Sequence, residues 1–323
     1  MRKATILFAA LAVVVMAAPA FGSTYITTIW TGTTGDWYDS TWDNGAPPLN
    51  PPAGTYYTAR INNGGTVSIT STALAYQGLY VGIYTADPNT GHLNIGADLT
   101  VGGTGVGWYH AYSQGPSTVN QTAGNIQMNS SMTIGFGGQN KNNPNLWLGW
   151  GEYTIEGGSM SQTVGAGRHF TVGGTNANYV AGTFGKGLFK IVGTGPSSIQ
   201  VAAYIQNAGC TLEVELDDTS AHVTPINVTG TIYNSVMDGT LLVRNGAGYT
   251  PTLGTTVTVL NGVDSASLDF TALTLDAGSD AGWQLIADDG TKTSVQVEYI
   301  PEPATMVLLG IGGIGVLLRR RKK

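Results

Sequence analysis

Hydrophobic and polar residues alternate along this chain in short runs closed by glycine or asparagine, with Leu212-Glu213-Val214-Glu215-Leu216 the strictest case. Period-two runs of this length predict short β-strands with one buried face, and sustained helical periodicity is absent. An apolar-x-apolar-Gly unit recurs at Leu79 to Gly82, Leu99 to Gly102, Met132 to Gly135, Leu146 to Gly149 and Phe170 to Gly173, in steps of 20, 33, 14 and 24 residues. A longer unit repeats too. Val119-Asn120-Gln121-Thr122-Ala123-Gly124-Asn125-Ile126 aligns with Tyr153-Thr154-Ile155-Glu156-Gly157-Gly158-Ser159-Met160, and each runs on into its own apolar-x-apolar-Gly. Within each strand the first and third side chains share a face, and the glycine permits the bend into the next strand. Equivalent strands stacked in parallel bury like residues above like, so residues 79–211 predict a parallel β-solenoid, a β-helix. Steps near 20 to 24 then correspond to one turn, 33 to a turn with a loop and 14 to a partial turn. A β-sandwich or jelly roll is the alternative, and it accounts for the alternation but not for the repeated register.

The flanking segments divide the rest. Arg2 and Lys3 precede an apolar run from Ala4 to Ala18 that ends in small residues, which marks 1–22 as a secretory signal peptide. Residues 23–78 form an N-terminal cap with the first strands. From 212 to 300 the texture changes, predicting a C-terminal β region with strands at 226–232, 240–243, 255–260, 268–275, 283–287 and 294–299, and a hairpin turn at Asp288-Asp289-Gly290. The last segment, 301–323, reads Pro301-Glu302-Pro303, an uncharged run from Ala304 to Leu318, then Arg319-Arg320-Arg321-Lys322-Lys323. Prolines interrupt helix and sheet, the apolar helix seeks lipid, and the cations stay at the cytoplasmic face. Fifteen apolar residues are shorter than the ~20 of a comfortable membrane span, which favours a processed signal over a permanent anchor.

This tail resembles the PEP-CTERM sorting signal of bacteria, with Pro301, Glu302 and Pro303 matching the signature tripeptide and Arg319, Arg320 and Arg321 the basic end. The resemblance implies recognition by an exosortase, a transmembrane helix held only transiently in the inner membrane, and delivery to the cell surface or extracellular polysaccharide matrix, the setting of a biofilm. The segment with Trp30, Trp37, Trp42, Pro47-Pro48 and Pro51-Pro52 resembles the opening of autotransporter-type passenger domains, where a tryptophan-rich hairpin and proline loop cap the first turn of a right-handed β-solenoid, so the resemblance implies a right-handed parallel β-solenoid here. Gly239 to Val243 followed by Gly254 to Leu260 resembles the end of such passengers. Exposed solenoid ends need shielding from edge pairing, and bulky aromatics supply it.

Charge removes some classes of partner. With both terminal segments set aside, 7 of the 14 cations and 19 of the 20 carboxylates remain, a net of about −12, which argues against nucleic acid and anionic bilayers. Cys210 stands alone, so no disulfide framework exists, and its setting is that of a small buried hydrophobe. Catalytic chemistry finds few footholds. Glu213 and Glu215 share one strand face and read as a solvated edge, Asp217-Asp218 as a turn. His92, His110, His169 and His222 show no metal-ligand spacing, and no calcium loop, phosphate cradle or cofactor motif occurs. The sequence therefore predicts no catalytic residue, no metal site and no cofactor.

Two aromatic segments remain, Gly107 to Tyr112 and the run around Asn140 to Asn145, both expected as loops between strands. They nominate Trp108, Tyr109, Tyr112, Trp147 and Trp150 as carbohydrate contacts, Trp147 foremost because it points outward if Leu146 and Leu148 face in. The sequence thus predicts a secreted, non-enzymatic surface protein with a structural or adhesive role in the exopolysaccharide layer. A carbohydrate-binding module, or a polysaccharide lyase or hydrolase with converging carboxylates, are the alternatives.

Overall fold

A computed structural model describes residues 23–83, 90–102, 107–112, 116–163, 165, 168–175, 180–217, 223–230, 235–262, 268–286 and 294–300. Among the described residues the chain coils through three long sheets, each of nine strands, in which the strand neighbours are successive passes of the coil except for an antiparallel hairpin at one end of the third sheet. Thr55–Ile61, Thr66–Ile69 and Ala73–Ala75 make one complete turn. Gly78–Ile83, His92–Ile95 and Leu99–Val101 make the next, on the first, second and third sheets respectively. Pairing is parallel and in register along the stack, as a β-solenoid requires.

Register explains the core. On the first sheet Ala59, Leu79, Trp108, Met132, Phe170 and Tyr204 lie one above the other and all are buried. On the second sheet Val67, Leu93, Val119, Tyr153, Phe189, Leu212 and Leu241 do the same. Each buried aliphatic side chain contributes on the order of 1.5–3 kcal/mol. The aromatic members touch both across the interior, Phe170 against Phe189 at 5.0 Å, and along one column, Tyr153 against Phe189 at 5.7 Å between ring centroids.

The two sequence repeats fare differently. Val119↔Tyr153 and Ile126↔Met160 are true register partners, as the longer repeat aligns them. The short unit marks corners instead of turns. Leu79, Met132 and Phe170 lie on the first sheet, Leu99 on the third, and Leu146 on a two-stranded antiparallel insertion, Gly138–Asn140 with Asn143–Leu148. One full turn, measured between first-sheet partners, is 29 residues from Leu79 to Trp108, 24 from Trp108 to Met132 and 38 from Met132 to Phe170. The reason is local: the glycine closing each unit has a left-handed backbone, φ +82° at Gly173 for instance, and any corner of a three-sided coil needs that bend. Gly173 has a second constraint, since a Cβ there would sit 2.2 Å from the Cys210 sulfur.

Corners are also pinned from inside by glutamines. Gln162 donates to the carbonyls of Ser130 (2.8 Å) and His169 (3.1 Å) and accepts from the Ala202 N–H (3.0 Å), tying three successive passes together. Gln121 donates to Gly124 and Ser159 carbonyls while the Tyr153 hydroxyl donates to it. Gln206 repeats this with Cys210, Thr240 and Tyr204. An amide has both donors and an acceptor, so one side chain satisfies several buried backbone groups at once.

Residues 211–275 do not form a separate unit. Thr211–Leu216, Ile226–Val228 and Thr240–Asn245 extend the same sheets, and the coil departs from parallel pairing only where Trp283–Ile286 and Ser294–Tyr299 add antiparallel to Thr256–Gly262. The segment expected as one strand at 268–275 is two, Leu268–Asp269 and Thr274–Leu275, on different sheets. The Asp288-Asp289-Gly290 turn lies outside the described residues, as do the signal segment 1–22 and the tail 301–323.

Candidate functional site

The carbohydrate contacts nominated from the sequence separate once placed. Trp108 opens a first-sheet strand, Trp108–Tyr112, not a loop, and its indole is fully buried edge-on to Tyr153 at 5.8 Å. That burial removes it from any ligand surface, because the inward phase of the strand sends it to the core. Tyr109 and Tyr112 share its backbone, and Trp147 pairs with Gln139 in the inserted hairpin; their side chains lie outside the described residues. Trp150 begins the second-sheet strand Trp150–Ile155 and is 45% exposed. Trp30, Trp37 and Trp42 offer no sugar platform either. They are buried and packed edge to face at 5.4 and 5.2 Å, with the Trp42 indole N–H donating to the Trp37 carbonyl.

What the fold does line up is a set of tyrosines. Tyr25 and Tyr56 are register partners on the outward phase of the first sheet, their rings stacked at 5.3 Å and 21°. Tyr76, at the next corner, stacks on Tyr56 at 5.5 Å and 26°. Tyr25, at the end of the stack, is 62% exposed and no ring covers its other face among the described residues. Farther along the same strand and face, the Arg60 guanidinium lies 5.5 Å from the centroid of the Tyr80 ring. Between them the Thr58 hydroxyl donates to Gln77 Oε1 at 2.8 Å. Sequence spacing gave no hint of this set, since positions 25, 56 and 76 follow no fixed step. Only the register Tyr25↔Tyr56 could have found it.

The titratable groups have structural occupations. Lys190 Nζ lies 3.2 Å from Glu213 and 2.7 Å from Glu215, across adjacent strands of the second sheet. Burial pulls its ammonium pKa down, but the two carboxylates outweigh that and the net shift is upward. A cleft of about 300 Å³ at the corner after the second sheet is lined by Glu156, Thr194, Glu215 and Asp217, where the Thr194 hydroxyl donates to Asp217 at 2.7 Å. His92 bonds Thr118 at 2.8 Å, and burial lowers the pKa of His169. His222 and the side chain of His110 lie outside the described residues. The Cys210 thiol is buried, donates to the Gly185 carbonyl at 3.2 Å, and is pushed by burial to about 11, far from the range of a reactive thiolate. No group of three or more His, Cys, Asp and Glu able to hold a metal occurs among the described residues.

The decisive likeness is in the tail. Residues 300–322 match the PEP-CTERM protein-sorting motif. The matched segment contains Pro301, Glu302 and Pro303 and, at its far end, Arg319, Arg320 and Arg321. The chain thus carries a PEP-CTERM sorting signal, which supports an exosortase-sorted protein that is secreted, processed at the membrane and displayed on the cell surface. No curated protein and no solved structure matches the chain. Among the described residues no helix is long and apolar enough to cross a membrane, and the apolar run 304–318 lies outside them.

Ile300, the residue before the Pro-Glu-Pro tripeptide, donates its N–H to Gly282 at 2.6 Å beside the antiparallel hairpin that ends the coil. The tyrosine stack sits on the opposite end, on the first two strands of a nine-strand sheet. Eight strand spacings put about 40 Å between the two ends.

Proposed function

We propose that this PEP-CTERM protein is a non-enzymatic surface component with a structural or adhesive role in the exopolysaccharide layer. The outer face of the third sheet carries the reading. Thr100, Gln127, Ser161, Gln200, Asn227 and Asn261 stand in register, one per turn, forming an uncharged column of hydroxyls and amides. Its members and flanking residues bond one another, Ser161 to Gln127 and Ser159 to Asn125 at 2.6 Å each, which keeps the face flat and ordered. In a chain of strongly acidic balance, such a face can lie against a hydrated polysaccharide without charge repulsion, and many weak contacts along a rigid rod add up by avidity. The occupation of Glu213 and Glu215 by Lys190 favours a passive role over hydrolysis, which needs two opposed carboxylates at the scissile bond.

Fractionation of the native cells, with mass spectrometry of the protein's C-terminal peptide, tests the placement; co-sedimentation with the cells' own purified polysaccharide tests the role. A chain ending near Pro301, found in the outer layer and sedimenting with the polysaccharide, is expected. A chain that keeps Lys323 in the inner membrane, or that ignores the polysaccharide, overturns the reading.

A further inference from the structure

We infer that the outer face of the first sheet at its N-terminal end, built from the Tyr25, Tyr56 and Tyr76 stack together with Arg60 and Gln77, is a binding site for a carboxylate-bearing polysaccharide. The inference rests on the adhesive role proposed above and adds a site and a ligand class. Three observations converge. The first is the stack itself. Tyr56 and Tyr76 hold Tyr25 from one side, so its exposed ring is fixed before any ligand arrives and its open face can take the C–H face of a sugar at low entropic cost.

The second is Arg60. It is the sole cation between Ser23 and Asn140 in the sequence, and among the described residues it has no carboxylate partner. Its Nε is buried without a hydrogen bond, and the Tyr80 ring holds the guanidinium from one side. A guanidinium is a planar fork that matches a carboxylate two bonds at a time. Among the described residues no carboxylate pairs with it, whereas Lys190 is paired twice.

The third is spacing and supply of donors. Tyr56 and Arg60 are four residues apart on one strand face, about 13 Å, a distance that a few linked sugars span while stacking at one end and ion-pairing at the other. Between them the Gln77 amide has its oxygen occupied by Thr58, and its N–H donors meet no acceptor among the described residues. The site lies about 40 Å from Ile300, the residue before the Pro-Glu-Pro tripeptide, so a protein displayed through that end would present it outward.

The test uses the protein as cells release it, titrated calorimetrically with polygalacturonate and, as the neutral control, dextran. Polygalacturonate should bind and dextran should bind at least tenfold more weakly. Arg60→Gln should lower affinity for polygalacturonate at least tenfold, Arg60→Lys by less, and Tyr25→Ala, at an exposed position whose loss leaves the core intact, at least threefold. Wild-type affinity in both Arg60→Gln and Tyr25→Ala, or equal binding of the two polymers, overturns the site. If those variants also sediment normally with the native polysaccharide, the adhesive role stands and only the site fails. If the unaltered protein retains neither polygalacturonate nor the native polysaccharide, both fall together.

Discussion

At its N-terminal end the coil is closed by side chains, whereas at its C-terminal end it is closed by backbone. In the first case Trp30, Trp37 and Trp42 plug the open core, and the loop after them covers the edge strand Thr24–Ile29. The Asp43 carboxylate accepts the Ile29 N–H at 2.7 Å, its own N–H donates to the Ile29 carbonyl, and the Asn44 amide donates to the Thr27 carbonyl at 2.8 Å. In the second case the antiparallel hairpin of Trp283–Ile286 and Ser294–Tyr299 extends the third sheet, with Trp283 packed on Tyr299 and its indole N–H given to Asn245. The other two sheets simply taper into two-residue strands. A stack whose repeats touch only their neighbours frays from its ends, so the kind of closure decides which end opens first.

The sharpest way to break this comparison is to remove one tryptophan from each end. Trp37→Ala deletes a fully buried indole with only loop and core around it, and should cost about 3–5 kcal/mol. Trp283→Ala leaves the hairpin's backbone ladder in place and should cost less, about 2–3 kcal/mol. Urea midpoints give the totals, and hydrogen exchange shows where the loss falls. Faster exchange confined to Thr24–Ile29 and Thr34–Asp36 in the first variant is expected; a larger loss at Trp283 would reverse the comparison.

Between the ends the coil is held at its corners, and there the next effect should appear. Gln162→Leu strips the buried Ala202 N–H and the Ser130 carbonyl of a partner, which at about 1–3 kcal/mol per orphaned group should cost about 2–6 kcal/mol in all. Because it touches three turns, its exchange signature should spread through the middle of the rod and leave both ends relatively unchanged. A loss confined to one corner would show that the glutamines act singly.

A pH scan separates the body from its ends without disturbing either. Burial raises the Cys210 thiol from 9.0 to about 11, so the folded chain holds that proton more tightly than the unfolded one. The associated stability is full below pH 9 and is lost as pH rises to about 11, a change of roughly 2–3 kcal/mol. Buried Tyr153 and Tyr204, both shifted well upward, extend the loss to higher pH. Cys210→Ala should therefore flatten the urea midpoint between pH 8.5 and 10. An unchanged slope would mean that the thiol titrates freely.

How much of this could be read beforehand depends on whether a residue's role is local or set by register. The alternation at Leu212 to Leu216, the aligned pair of units at Val119 and Tyr153, and the buried N-terminal tryptophans are all local or repeated signals, and they predict the strands, the stack and the cap. Apolar-x-apolar-Gly misleads about turn length because every corner of a three-sided coil asks for the same bend, so Leu99 and Leu146 look equivalent to Leu79 while lying on other elements. Trp108 illustrates the same limit, since a glycine-flanked aromatic cluster reads as a loop until its strand phase is known. The tyrosine stack and Arg60 depend on which turns meet, and turn lengths of 20 to 38 residues hide that from any fixed period. The corner glutamines did leave a trace: each stands two residues after a core residue, on the inward phase, as Val119-x-Gln121, Met160-x-Gln162 and Tyr204-x-Gln206.

The smallest effect on stability has the clearest effect on behaviour. Asp43→Ala frees the Ile29 N–H to water, so the folded chain should lose only about 0.5–1.5 kcal/mol. The edge strand Thr24–Ile29 then presents backbone groups with nothing across them, which is the template for a second chain to pair with. Sedimentation velocity should show concentration-dependent association of Asp43→Ala, suppressed in Asp43→Asn, whose side-chain oxygen can still accept the same bond. A monomeric Asp43→Ala would mean that the tryptophan plug and Asn44 protect the edge without it, and that the side-chain closure is steric throughout.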